Sequence, residues 1–346
     1  MTRQITASFT LSTLAALMLA ACSPAEQKAA EPAAAPSSGT QAQASAPAGE
    51  AKKIAITAIV EHPALDAVRK GVLDELKAKG YEEGKNLTVD FQSAQGSTAN
   101  AAQIAKKFVG DNPDVIVAIA TPSAQSVVAA TKTIPVVYAG VTDPVAAKLV
   151  PSWEASNTNV TGVSDELPLD PQIDLMKKIV PTVKNVGYVY SPGEVNSTIV
   201  LDQLKAKLTP QGVNLVAVPA QRSSDVLTAA RSLNGKVDLI YTSLDNNVVS
   251  SYESMYKAAV EMKKPLVASD TGSVQRGAVA ALGVNYYDLG KKTGDVVFQI
   301  LNGKKAGEIP SARMETLDLI VSKKNAAATN VTLSDAVLKE AKEVQE

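Results

Sequence analysis

The sequence predicts an α/β protein built as two doubly wound parallel-sheet lobes joined by a hinge of three chain segments. Three observations carry that expectation. From residue 54 onward, short β-branched runs alternate with amphipathic helical stretches, the pattern that builds parallel sheets covered by helices on both faces. Roughly 290 residues take part, more than one average domain holds. The alternation also occurs twice, with matching residues in the two halves.

Two segments precede the folded body. Met1–Cys22 has a positive start at Arg3, an apolar stretch from Ala7 to Ala20 broken only by Ser and Thr, and the ending Leu19-Ala20-Ala21-Cys22. This stretch is too short for a membrane-spanning helix and reads as a secretion signal that is removed. Its end resembles the bacterial lipobox, in which the cysteine is lipidated and becomes the mature N-terminus. Cys22 is therefore the expected lipidation site, holding the protein to a membrane on the periplasmic or extracellular side. An ordinary secretory signal is the alternative. Cys22 is also the only cysteine, so the body cannot hold a disulfide. Residues 23–53 are mostly Ala, Pro, Ser, Gln, Gly and Glu with no large apolar side chain, a composition suited to a flexible tether.

In the first half, strands are expected at Ile54–Val60, Leu87–Ser93, Asp114–Ala120 and Ile134–Gly140, with helices at Leu65–Lys79, Ala99–Gly110 and Ser123–Lys132. In the second, strands at Val186–Tyr190, Asn214–Val218, Asp238–Thr242 and Leu266–Ala268 alternate with helices at Ser197–Leu208, Asp225–Leu233 and Val248–Lys263. A strand at Ala278–Gly283, a helix at Tyr286–Leu301 and a strand at Thr316–Val321 complete the chain. The run Val72–Lys79 echoes Val200–Lys207, Asp114–Val117 echoes Asp238–Tyr241, and Pro135–Val137 echoes Pro265–Val267, all offset by about 125–130 residues. A duplicated lobe follows. The expected division is 54–165 plus 285–315 for the N-terminal lobe and 166–284 plus 316–346 for the C-terminal lobe, with hinge segments near 165, 285 and 316.

Open parallel sheets bind ligands beyond the carboxyl ends of their strands, so two such lobes enclose a cleft. Reading off those ends gives His62 and Ala64, Thr121, Ser123 and Ala124, and Thr142 and Asp143 in the first half. The second half gives Ser191, Glu194, Asn196 and Ser197, then Asp245 and Asn246, then Asp270. Singly, Ser123, Ser197 and Asn246 read equally well as helix caps. Together the set offers helix N-termini and hydroxyls for a carboxylate, and Asp245, Asp270 or Glu194 for an ammonium group, which suits a zwitterionic amino acid. Tyr138, Tyr190 and Tyr286 are candidates to pack an apolar ligand group, and Trp153 to edge the cleft.

Composition narrows the classes. A net charge of −1 provides no basic surface for nucleic acid. His62 is the only histidine, so no histidine metal cluster is possible, and neither metal nor cofactor is implied. There is no Gly-rich phosphate loop, no G-x-S-x-G elbow and no H-E-x-x-H, and no enzyme activity is expected.

The runs Val141-Thr142-Asp143-Pro144-Val145 and Asn159–Ser164, the loop Glu194-Val195-Asn196-Ser197, and Asp245-Asn246 resemble the ABC-transporter substrate-binding family whose characterised members bind tryptophan, tyrosine or phenylalanine. The resemblance spans about Ile54 to Val321. It implies a type I periplasmic binding protein fold and delivery of the ligand to a permease with a cytoplasmic ATPase; closure about the hinge is expected from the two facing lobes, and the protein is expected to be a monomer. It also implies a site formed by Thr121–Gln125, Thr142-Asp143, Glu194–Ser197, Asp245-Asn246 and Asp270. Two alternatives stay open: a sensing module for a chemoreceptor or sensor kinase, and a different solute such as a sugar or nucleoside.

Overall fold

The computed structural model describes residues 51–346. The signal segment, Cys22 and all but the end of the expected tether lie outside the described residues. The first strand begins at Lys52, two positions before the expected start at Ile54.

The first lobe runs β1 (Lys52–Ala58), α1 (Pro63–Ala78), β2 (Leu87–Ser93), α2 (Thr98–Asp111), β3 (Val115–Ile119), α3 (Thr121–Ala130), β4 (Val136–Ala139) and β5 (Val160–Ser164). The second repeats the plan after α4 (Leu169–Ile179): β6 (Asn185–Tyr190), α5 (Val195–Leu208), β7 (Asn214–Pro219), α6 (Val226–Arg231) and β8 (Leu239–Thr242). Then come α7 (Asn246–Ser250), α8 (Tyr252–Met262), β9 (Leu266–Ala268) and β10 (Ala280–Gly283). The chain closes with α9 (Tyr286–Leu301), β11 (Ala312–Arg313), β12 (Asp318–Ser322), α10 (Lys323–Ala328), α11 (Asp335–Glu340) and β13 (Glu343–Gln345).

The duplication is visible in strand order. One sheet is β2-β1-β3-β4-β5-β11 and the other β7-β6-β8-β9-β10-β12-β13, so the first five strands of each lobe share one arrangement. Every pairing is parallel except β10 with β12. β3 and β8 are buried along their whole length, as strands covered on both faces must be. Separate apolar cores fill the two lobes.

The chain passes between sheets three times: from β5 to α4, from β10 to α9, and from β11 to β12. The helix α9 returns to pack along α1, and two glycines make that approach possible. A Cβ on Gly71 would lie 2.2 Å from the Tyr287 carbonyl oxygen, and one on Gly290 2.2 Å from that of Val68.

The sequence pattern did not single out β5, β11, β13 or α4. In β5, Gly162 interrupts the β-branched run, and it does so because Tyr138 of β4 lies against it: a Cβ there would sit 2.2 Å from the Tyr138 carbonyl oxygen. β11 and β13 are two and three residues long, too short for periodicity to register. The helix expected at Val248–Lys263 is two helices, broken at Ser251.

Candidate functional site

Both sheets place a topological switch point between their first and third strands, where neighbouring connections leave on opposite faces. In the first lobe this is the crevice beyond β1 and β3, and in the second the crevice beyond β6 and β8. The two face each other. Between them lies an empty space of about 330 Å³, its mouth included.

The first-lobe wall is made by backbone geometry as much as by side chains. His62 ends the turn after β1 and holds the N-cap position of α1, but its side chain makes no capping bond, leaving the imidazole to face the cleft. Its Nδ1 is buried without a partner. Burial chiefly, and Arg276 second, hold its pKa down to about 4, although the Asn246 side chain pulls the other way. At pH 7 the ring is neutral. After β3 the chain turns through Ala120 at φ 72° and ψ 155°, a conformation that side chains disfavour by about 1–3 kcal/mol. That turn starts α3 and aims Thr121 into the cleft, where its Oγ1 is also buried and unpartnered. Ser123 and Ala124 of the same helix are fully buried and do not line the space.

The second-lobe wall is the reverse: its polar groups satisfy one another. Asp245 accepts hydrogen bonds from Ser191 N (2.6 Å), Ser191 Oγ (2.8 Å), Ser197 Oγ (2.6 Å) and Val248 N (3.0 Å). Although its carboxyl borders the space, it is the clamp that fixes the loops after β6 and β8. Glu194 Oε2 accepts from Asn246 N (3.1 Å), Asn246 Nδ2 (2.7 Å) and Asn196 Nδ2 (3.0 Å), so the start of α7 is already occupied by a carboxylate of the protein itself. Burial raises the pKa of Glu194, and the neighbouring charge of Asp245 raises it further. Ser191, Glu194 and Ser197 stand behind the wall; Asn196 and Asn246 form its face.

Two carboxylates remain for a guest. Asp270, after β9, accepts from Gly272 N (3.1 Å) and Ser273 Oγ (2.9 Å) and borders the space. Asp165, at the first passage between lobes, was not singled out from the sequence. It is buried, and both its donors are hydroxyls: Tyr286 Oη at 2.9 Å and Thr142 Oγ1 at 3.2 Å. Burial pushes its pKa up to about 6 against the pull of those donors. Both hydroxyls donate, an arrangement for an ionised carboxylate. The sequence offered no clear signal for Asp165, because Gly162 breaks the β-branched run of the strand that precedes it.

Of the expected site residues, His62, Ala64, Thr121, Thr142, Asn196, Asp245, Asn246 and Asp270 line the space, as does Tyr286, expected to pack an apolar ligand group; they are joined by Leu65, Gly140, Leu244, Val249 and Asp165. Asp143 sits in an adjoining space, its carboxylate capping Val145 N and Ala146 N. Tyr138 is core, and Trp153 stacks under the Arg313 guanidinium, 3.3 Å from its ring centroid. No lysine or arginine lines the space, and among the described residues no three His, Asp or Glu side chains converge as metal ligands.

Known proteins share the family and the fold of this chain. The family described as ABC transporter substrate binding protein matches residues 53–345. A tyrosine-binding protein from Clostridioides difficile is 42% identical over 78% of this chain and 79% of its own. A solved ABC domain from Streptococcus pneumonia in complex with L-Trp is 33% identical, covers 85% of this chain and 99% of its own, and superposes with a TM-score of 0.82. The ligand-free, open structure of a substrate binding protein with adhesive properties from Clostridium difficile is 40% identical, covers 85% and 99%, and superposes with a TM-score of 0.64. The fold is that of the type I periplasmic binding proteins, shared with solute binding proteins of far lower identity.

Proposed function

Because the chain belongs to the ABC transporter substrate binding protein family, whose members bind a solute rather than transform it, we propose that it captures an α-amino acid in zwitterionic form between its lobes. The ligand's carboxylate meets Thr121 and the first turn of α3, and its ammonium group meets Asp165 and Asp270. One observation carries this reading. The cleft joins an open helix N-terminus with an unpartnered hydroxyl to carboxylates held ready for a cation, and neither lysine nor arginine lines it to claim them. The names of the relatives, tyrosine-binding and L-Trp-bound, point to the same class.

Capture proceeds by rotation of the lobes about the three connecting segments. The order of structural likeness supports this. The chain superposes less well on the ligand-free, open relative than on the L-Trp complex, although the open relative is closer in sequence. Sequence drift would give the opposite order, whereas lobes turned apart give the order found. In the cell, the protein is an extracytoplasmic monomer tethered through lipidated Cys22, and it hands its ligand to a permease driven by a cytoplasmic ATPase.

The test is a thermal-shift screen of the twenty amino acids, followed by calorimetry. A ligand at about 100 times its Kd adds about 2.7 kcal/mol to stability, an easily read rise in melting temperature. Small-angle scattering with the best ligand should show compaction. A response to sugars or nucleosides and to no amino acid would defeat the reading.

A further inference from the structure

We propose that the ion pair between Glu166 and Arg313 is a clasp on the hinge that favours the closed form, so that every ligand is held partly by a bond outside the cleft. This rests on the reading of capture by lobe closure and adds the residues that set its balance.

The three passages between the sheets converge on one dipeptide. β5 and β11 leave the first sheet side by side and parallel, with Ser164 beside Arg313. Just past the end of β5, Asp165 and Glu166 lie in the first passage. Asp165 accepts from Tyr286 Oη at 2.9 Å, at the start of α9, where the second passage arrives. Glu166 Oε2 accepts from Arg313 Nε at 2.6 Å, where the third passage departs. Neighbouring residues of one connection therefore hold the other two. Asp165 borders the cleft space, whereas Glu166 and Arg313 stand outside it.

The ends of the ion pair belong to different sides of the rotation. Arg313 is fixed to the first lobe three ways. Its strand pairs with β5, its guanidinium lies 3.3 Å from the Trp153 ring centroid, and its carbonyl oxygen accepts from Lys292 Nζ of α9 at 2.7 Å. Glu166 lies beyond the last paired residue of β5, on the short stretch that leads into α4 of the second lobe. Turning the second lobe away carries Glu166 off and leaves Arg313 in place. The bond is made in the present arrangement, which superposes better on the L-Trp complex than on the open relative. A bond made only on closure strengthens every ligand alike, because measured affinity includes the balance between open and closed forms. Both side chains are partly solvated, so the contribution is that of a surface pair.

Calorimetry of the wild-type protein, Glu166→Gln, Arg313→Gln and the double variant tests the clasp, with alanine, leucine, phenylalanine and tryptophan as probes and melting curves taken without ligand. Glu166→Gln should weaken each ligand that the wild type binds by ~3–5-fold, leaving the ratios between ligands and the ligand-free melting temperature unchanged. The double variant should lose no more than Arg313→Gln alone, since one pair is broken once. Unchanged affinities, a loss confined to some ligands, additive losses, or a lowered melting temperature with affinity kept would overturn the clasp. A wild-type protein that shows no compaction in small-angle scattering with saturating amounts of any of the four would instead overturn closure itself, and the clasp with it.

Discussion

At matching positions in the duplicated lobes, beyond the third strand of each sheet, the chain has Thr121 in one lobe and Asp245-Asn246 in the other. The first position leaves a hydroxyl unpartnered at the start of a ten-residue helix. The second is closed by the protein's own carboxylates, Asp245 capping α7 and Glu194 covering its first N–H. One duplicated corner has kept its capacity for an anion, and the other has filled it internally. On the proposed amino-acid reading, this difference sets the one direction in which an unsymmetrical guest lies between nearly twofold lobes. It also separates two roles that residue type alone would merge: groups that hold the wall and groups that hold the ligand.

The sharpest way to break that division is Asp245→Ala. It strands two backbone N–H groups and two serine hydroxyls in a fully buried site, and should cost about 3 kcal/mol or more of folding stability. Urea denaturation of the ligand-free protein measures it directly. A loss below about 1 kcal/mol would show that Asp245 is not the clamp of this wall.

Asp165→Asn probes the other role, and its sign is reversed. The folded pKa of Asp165 is raised from 3.8 to about 6, so its contribution favours folding fully only below about pH 4 and is lost as pH rises through about 6. At pH 7 and above, the buried charge is a burden that asparagine removes while keeping polar contact with Tyr286 and Thr142. The variant should be about 2–3 kcal/mol more stable than wild type at pH 7.5, the advantage vanishing toward pH 4. His62 titrates in both proteins, so the difference isolates Asp165. Affinity for an amino acid at pH 7.5 should fall by ~10-fold or more, since an ammonium loses its counter-charge. Stability and affinity moving together would mean that Asp165 is structural.

How far the sequence displayed this division can be judged residue by residue. The lobes, the strand ends and most of the lining were legible, because β-branched runs and helix periodicity report burial on both sides of a parallel sheet. What periodicity cannot report is the direction of a hydrogen bond. Asp245, Glu194, Ser191 and Ser197 read as ligand groups because they sit in cleft loops; only the fold reveals that the two serines donate to Asp245 while Asn196 and Asn246 donate to Glu194. Asp165 went unnoticed for the opposite reason. Its partner Tyr286 lies 121 positions away, brought beside it when the chain returns to the first lobe. The strained turn at Ala120 is also silent in sequence, since alanine gives no sign of a positive φ.

The smallest effect is the most telling, because it asks whether an unpartnered hydroxyl is there for the ligand. Thr121→Val keeps the shape and removes one oxygen that bonds to nothing in the protein. Folding stability should hold or rise by up to about 1 kcal/mol, since a buried hydroxyl no longer goes unsatisfied. Affinity for an amino acid should drop by ~10-fold, about 1.4 kcal/mol, the value of one hydrogen bond to a charged carboxylate. In the second lobe, Ser191→Ala removes a hydroxyl that bridges Asp245 at 2.8 Å and Asn247 at 2.9 Å, and there the loss should fall on stability with affinity nearly preserved. Melting curves and titrations of the two variants side by side read both quantities. If Thr121→Val destabilises the fold as Ser191→Ala does, the hydroxyl serves the protein, and the ligand's carboxylate must be sought elsewhere in the cleft.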